Sequence, residues 1–469
     1  MLVLIMLEIT KSKYNKIENI INEIKKEVKP TPDELKVIAE YSNELVLRLR
    51  KIIPKDVEVL AVGSIAHNTQ VRGSHDIDLF LLFPKHYGEQ QMEKLGLEYA
   101  RRIIKKNKNE TYIVKYAEHP YTKLILNDLG MTADIVPAFK INDALERITA
   151  VDRSQLHNKF INNNLSEKQK DDVRVLKVFL KSHFIYGADA KTMGFSGYLC
   201  ELLIYTYGSI INLFSHFYTL KIPVAIDPMH KMVYEEESAI KLLKKFNSEF
   251  VVVDPTDENR NVAAVVSKET FAKFIFSVRN FIDNPTANTF YSKKFSDVYT
   301  KRKVLKFSKE LGLSIFVMHF EVPEIADDIL WQQLRKLKEA ITIKLKNNGF
   351  NPALTLENLF GKSGIIAFFI NDITINHAII EGPSIFMRSA VDSFIRSHNR
   401  SLGFIFNEEK IISIEESKYY NAKEVIDEFI KEIKLPSYLK HDKLNIYKDD
   451  IPEEIAKLVY SAFSLKTIL

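Results

Sequence analysis

The sequence predicts a multidomain α+β protein, with mixed sheets backed by helices, and three observations carry that expectation. The chain has 469 residues, 46% apolar and 11% aromatic, enough to fill about three separate cores. Short β-branched runs alternate along it with stretches whose apolar residues recur every three or four positions. After about residue 285, basic and aromatic residues gather, so the chain changes character. The division expected is a mixed-sheet domain over 1–155, a mainly helical one over 156–285, and a C-terminal α+β body and tail over 286–469.

Composition narrows the class. A formal charge of +5 allows a polyanionic partner without arguing for one. The single cysteine, Cys200 in GYLCELL, excludes a disulfide framework and thiolate zinc sites. No apolar run approaches the 18 residues of a membrane span. The expectation is a soluble, cytoplasmic protein with no membrane partner.

Taken in order, residues 11–29 read as an amphipathic helix. Thr31-Pro32-Asp33-Glu34 is a capping box with proline at the first helical position, opening a helix to about Arg50. Val57–Val62 is a buried strand that stops at Gly63-Ser64. Asp76–Phe83 is the next strand, followed by a helix over 89–106 and strands at 111–116, 122–126 and 131–137. Glu118-His119-Pro120-Tyr121 and Asn127–Gly130 are turn signals. Residues 143–190 become helical, with Val173, Leu176, Leu180 and Phe184 on one face. Met193–Ile210 reads as one apolar helix, and residues 250–253 as a strand. Arg260 falls in a polar turn.

Beyond residue 285 the stretch from Lys293 to Lys309 holds seven Lys or Arg and one acid, interleaved with Phe295, Tyr299 and Phe307. It fits either an RNA backbone surface or a solvated helix face. A strand over 314–320 precedes a helix over 327–348, on which Arg335, Lys336, Lys338, Lys344 and Lys346 suggest a second basic face. Strands at 364–369 and 372–380, a helix at 388–398, a hairpin at 403–414 and helices at 421–434 and 451–463 complete the chain.

The chemistry sits between Gly63 and Asp78. A residue without Cβ lets the backbone approach a ligand closely, and Ser64 adds a hydroxyl. After a gap of eleven residues, Asp76 and Asp78 share one face of a strand whose other face is apolar. Two carboxylates at ~4 Å repel by about 4 kcal/mol at an effective dielectric of 20, and a bound Mg²⁺ reverses that sign. Asp134, alone in another apolar strand, supplies the third carboxylate that two-metal nucleotidyl transfer requires.

Gly63-Ser64, the gap, Asp76-x-Asp78 and the later Asp134 resemble the nucleotidyltransferase superfamily built on a polymerase β-like palm. AEHPY (117–121), ADIVPAF (133–139), AVDRSQLH (150–157), GFSGYLCELL (194–203) and VDPTDENRNVAA (253–264) are similar to the archaeal, class I CCA-adding enzymes. The resemblance implies a palm domain, a helical nucleotide-binding domain and ferredoxin-like RNA-binding domains. It implies CCA addition to tRNA from CTP and ATP, with tRNA, ATP and CTP as partners, two Mg²⁺ ions as cofactor, and a homodimer. Carried over by position, Asp76, Asp78 and Asp134 are the catalytic metal ligands. Gly63, Ser64, His157, Lys177, Tyr186 and Arg260 hold the nucleotide, with the lysine and tyrosine on its triphosphate. Where the family usually has arginine this chain has His67, which either takes a weaker share of the phosphate or leaves it to Arg72. A poly(A) polymerase-like transferase and a non-catalytic tRNA-binding protein of the same fold stay open as alternatives.

Overall fold

The computed structural model describes residues 10–105, 109–116, 120–291, 301–371, 374, 376–432, 435–436, 438–439 and 444–466. The expected turn at Glu118-His119, the basic stretch before residue 301 and the start of the strand expected at 372 lie outside them. The chain divides after residue 293 into two compact units.

In the first unit, helices α1 (Lys11–Val28) and α2 (Pro32–Arg50) come first. The Thr31 hydroxyl accepts from Glu34 N, and Thr31 N donates to the Glu34 carboxylate at 2.7 Å, the capping box expected. Strands β1 (Glu58–Val62), β2 (Asp76–Phe83), β3 (Glu110–Tyr116), β4 (Pro120–Leu126) and β5 (Met131–Phe139) form a sheet of order β1-β2-β5-β4-β3. Only β2 and β5 pair in parallel. The short helix α3 (Gly63–Ala66) follows β1, and α4 (Glu89–Arg102) follows β2.

Period-two alternation decides the two faces of β2. Ile77, Leu79, Leu81 and Phe83 are buried with Ala133 and Ile135 of β5, Leu45 and Leu49 of α2, and Met92 and Tyr99 of α4. On the opposite face Phe80 and Leu82 join Val62 and Ala138 in a small second core. Asp76 and Asp78 stand on that same face, just before it begins. The run DLFLLF is therefore apolar on both sides beyond the carboxylates.

The rest of this unit is mainly helical: α5 (Ser154–Asn164), α6 (Glu167–Ser182), α7 (Gly197–Tyr207), α8 (Ile210–Thr219), α9 (Ile240–Phe246) and α10 (Lys268–Asp283). Phe179, Phe195, Phe214, Phe217, Phe274, Phe281 and Phe290 fill its core. The single helix expected over 193–210 is two. Gly208 takes φ +79° and ends α7, and the Ser209 hydroxyl, accepting from Asn212 N, starts α8. A small sheet of order β7-β6-β8-β9 also appears, from β6 (Val224–Asp227), β7 (Met232–Glu235), β8 (Phe250–Asp254) and β9 (Asp257–Asn261). Arg260 lies on β9 rather than in a turn.

The second unit holds α11 (Lys301–Glu310), β10 (Ser314–Glu321), α12 (Asp327–Asn347), β11 (Pro352–Phe360), β12 (Ser363–Ile370), β13 (His377–Ser384), α13 (Arg388–Ser397), β14 (Gly403–Asn407), β15 (Lys410–Glu416), α14 (Ala422–Glu432), β16 (Leu444–Lys448) and α15 (Glu453–Lys466). Its sheets run β11-β12-β10-β16 and β13-β15-β14, antiparallel throughout. The basic face expected on α12 is partly internal. Arg335 Nε and Lys338 Nζ both bind Glu357 of β11, at 3.1 and 2.7 Å, because α12 packs over that strand.

Candidate active site

Three neighbouring strands set a row of charge across the first sheet. Asp78 of β2 is the register partner of Asp134 of β5, and Asp134 is in turn opposite Lys123 of β4. Partners directly across a sheet share a face. Lys123 Nζ stands 3.1 Å from Asp134 Oδ1 and 4.0 Å from Asp76 Oδ1. The Thr132 hydroxyl donates to Asp76 Oδ1 from the strand alongside. Burial, then the charges of Asp134 and Asp76, push the Asp78 carboxyl up to about 7. Burial also raises Asp134, against the pull of Lys123.

Asp76 and Asp78 line a cleft of about 440 Å³. Gly63, Ser64, His67, His157, Lys177 and Tyr186 line it too. Gly63 takes φ +72°, and a Cβ built on it would fall 2.3 Å from Asp78 Oδ2. Only glycine allows the backbone of the β1–α3 turn to lie against that carboxylate.

Behind the cleft runs a buried polar chain. Lys177 Nζ donates to Thr69 O and Oγ1 at 3.0 and 3.1 Å. The Thr69 hydroxyl donates to Glu201 Oε1 at 2.6 Å, and His67 Nδ1 lies 3.0 Å from the same oxygen. Lys177 is 2% exposed and does not snorkel; burial lowers its pKa. Burial works against the Glu201 charge, but the His67 hydrogen bond and the Lys177 and Thr69 contacts hold its carboxyl below the usual range. His67 Nε2 is buried without a hydrogen-bond partner. Arg72 does not stand in for it. Its guanidinium donates to the carbonyls of Lys29 and Lys26, at the end of α1.

A second hub forms around Asp254, 1% exposed at the end of β8. His157 Nε2 and Arg260 Nη1 reach its Oδ2 at 2.9 and 2.8 Å. Tyr198 OH, Thr256 N and Thr256 Oγ1 donate to Oδ1. The His157 and Tyr198 rings stack at 4.0 Å. Burial lowers the His157 pKa, although Asp254 pulls the other way. Burial alone would raise Asp254, but the bond from His157, the Thr256 amide and the Arg260 charge hold it far below the usual carboxylate range.

Eight of the ten residues singled out in the sequence line one cleft. Asp134 joins it through its partner Asp78, and Arg260 through Asp254 and His157. Sequence reasoning missed Lys123, Thr69, Glu201, Asp254, Lys181 and Tyr198. Of these, Glu201, Lys181 and Tyr198 also line the cleft. Lys123 was readable, since it precedes a hairpin whose register places it opposite Asp134.

Among the described residues no three His, Cys, Asp or Glu side chains form a ready-made metal cluster. Yet the donor set suits a hard divalent ion. It consists of carboxylate oxygens, and Asp78 is raised by burial and then by the Asp134 and Asp76 charges, which Lys123 only partly offsets.

Known proteins match this chain along most of its length. A family model described as a nucleotidyltransferase domain matches residues 42–157. Another, described as a tRNA nucleotidyltransferase second domain, matches 171–291. A third, described as a CCA-adding enzyme C-terminal domain, matches 311–440. The CCA-adding enzyme of Methanocaldococcus jannaschii is 34% identical over 444 residues, 90% of this chain and 94% of that one. That of Archaeoglobus fulgidus is 35% identical over 337 residues, 72% of each. Among solved structures, a cytoplasmic RNA terminal U-transferase matches with a TM-score of 0.46 and 14% identity, over 60% of this chain and all of that one.

Proposed function

The chain belongs to the CCA-adding enzymes, tRNA nucleotidyltransferases of archaea, and from that premise we propose the roles of its residues. The protein adds CCA to the 3′ end of tRNA without a nucleic-acid template, drawing on CTP and ATP. The observation that carries the assignment of roles is the pairing of Asp78 with Asp134 at one side of a cleft that Lys177, Lys181 and Tyr186 also line.

Asp76, Asp78 and Asp134 would hold Mg²⁺, two ions on our reading. Bound there, the metal would supply a more acidic tRNA 3′-hydroxyl and neutralise charge on the triphosphate and pyrophosphate. The chain's own residues do the rest. Lys177 and Tyr186 stand beside Gly197 at the N-terminus of α7, the Lys181 ammonium lies over the Tyr186 ring, and Tyr198 also lines the cleft. Two ammonium groups and a helix N-terminus favour the triphosphate. Two acceptors at Thr69 leave Lys177 one N–H for a phosphate oxygen. Ser64 offers its hydroxyl from the β1–α3 turn. The fixed Asp254 hub presents His157 and Arg260 to the rest of the nucleotide. With its Nδ1–H donating to the ionised Glu201, His67 offers Nε2 as an acceptor when neutral and as a phosphate donor when doubly protonated.

We keep the division at 1–155 for catalysis, 156–285 for the nucleotide and 286–469 for the tRNA. A homodimer in the cytoplasm is the assembly that fits the family; sizing by light scattering checks the dimer. Among the described residues no helix is long and apolar enough to cross a membrane.

Incubation with tRNA lacking CCA, CTP and ATP tests the activity. Products should stop after C, C and A, whereas an open-ended A tail would convert the reading to a poly(A) polymerase.

A further inference from the structure

Resting on the metal reading above, we propose that Lys123 is a built-in counter-cation. Its ammonium neutralises the carboxylate row when no divalent ion is bound, and must leave Asp134 and Asp76 when one arrives. The register of β4 on β5 puts Lys123 directly opposite Asp134, on the face that carries Asp78. Its Nζ reaches both Asp134, at 3.1 Å, and Asp76, two strands away, at 4.0 Å. No other ammonium or guanidinium group lies within 4 Å of either carboxylate among the described residues. Three carboxylates so placed repel one another, and Asp78 is more buried than Asp134; it stands between Val62 of β1 and Asp134 of β5, with Asp76 two residues along its own strand.

A lysine suits this task better than an arginine fork. Its ammonium is a compact point charge on four flexible carbons, able to swing away without breaking a bidentate lock. With its side chain 21% exposed, the group has a route to water. The cation that replaces it must be small, divalent and oxygen-seeking, because the donors are carboxylates. Lys123 thus competes for the position it stabilises. It keeps the empty row folded at the expense of metal affinity.

The test titrates Mn²⁺ into the full-length protein calorimetrically, without nucleotide, and records melting temperature with and without the ion. Wild type, Lys123→Met, Lys123→Arg and Asp78→Asn are compared. Lys123→Met should bind Mn²⁺ at least fivefold more tightly, melt lower without the ion and gain more from it. Lys123→Arg, which keeps the charge and adds a bidentate lock, should bind Mn²⁺ no more tightly than wild type. Unchanged or weaker Mn²⁺ binding by a folded Lys123→Met, with wild-type binding intact and lost in Asp78→Asn, overturns the counter-cation alone. If wild type shows no Mn²⁺ binding that Asp78→Asn removes, the metal reading falls and the inference with it.

Discussion

Gly63 lies so close to Asp78 that a methyl group on its α-carbon would stand 2.3 Å from the carboxylate oxygen. The turn backbone and strand β2 are fitted to each other at that point, and φ of +72° adds a second reason for glycine. Gly63→Ala would cost about 1–2 kcal/mol in backbone strain and push Asp78 out of line with Asp134. Nucleotide incorporation should fall at least a hundredfold while the melting temperature drops only a few degrees. Activity within threefold of wild type would mean that the turn adapts.

Asp78→Asn should reduce incorporation to background and leave tRNA affinity within about twofold, measured by filter binding. The same change should raise the melting temperature of the metal-free protein. Burial, then repulsion from Asp134 and Asp76, penalises the ionised carboxylate, and an amide removes that charge. A variant that keeps full activity would end the metal assignment.

The Asp254 hub gives stability a pH dependence whose sign is fixed. His157 is held below its ordinary pKa, so the unfolded chain takes up a proton there first as pH falls below about 6.5. Asp254 is held below its own ordinary value, so its contribution is present above about pH 4 and lost as acid protonates it. His157→Gln removes the first effect and loosens the hold on Asp254, whose own loss falls at more acid pH. Urea unfolding between pH 7.5 and 5 should show a shallower decline, by at most about 1.4 kcal/mol per pH unit. Parallel curves for variant and wild type would contradict the buried, neutral ring.

His67→Arg tests the histidine that replaces the family's arginine. A guanidinium can meet Glu201 and still present a fixed N–H to the cleft, whereas the imidazole, with Nδ1 on Glu201, has only Nε2 left. The KM for CTP and ATP should fall severalfold with kcat nearly constant. An unchanged KM would take position 67 off the triphosphate.

Much of this site was legible because its residues sit on strands, where period two fixes the face. Asp76 and Asp78 could be placed together from spacing alone, and Asp134 from its isolation among apolar neighbours. Lys123 becomes legible only when the two strands are paired outward from the Asn127–Gly130 turn, which sets it opposite Asp134. Glu201 and Asp254 were hidden for another reason. Glu201 lies inside the apolar GYLCELL with partners 132 and 134 residues away, and Asp254 ends the apolar run FVVVD, its His157 partner 97 residues away. The weak strands β6, β7 and β9 escaped because they are four or five residues long and carry charged ends.

Four side chains lean on the one carboxylate of Asp254, and that sharing has a price for evolvability. Replacing the acid alone strands Arg260 and the His157 ring together, while replacing either of them leaves a sealed-in anion short of a donor. Routes to a new nucleotide preference through this corner must therefore move in pairs. A library selected for altered base choice should return changes at 254 only alongside changes at 157 or 260.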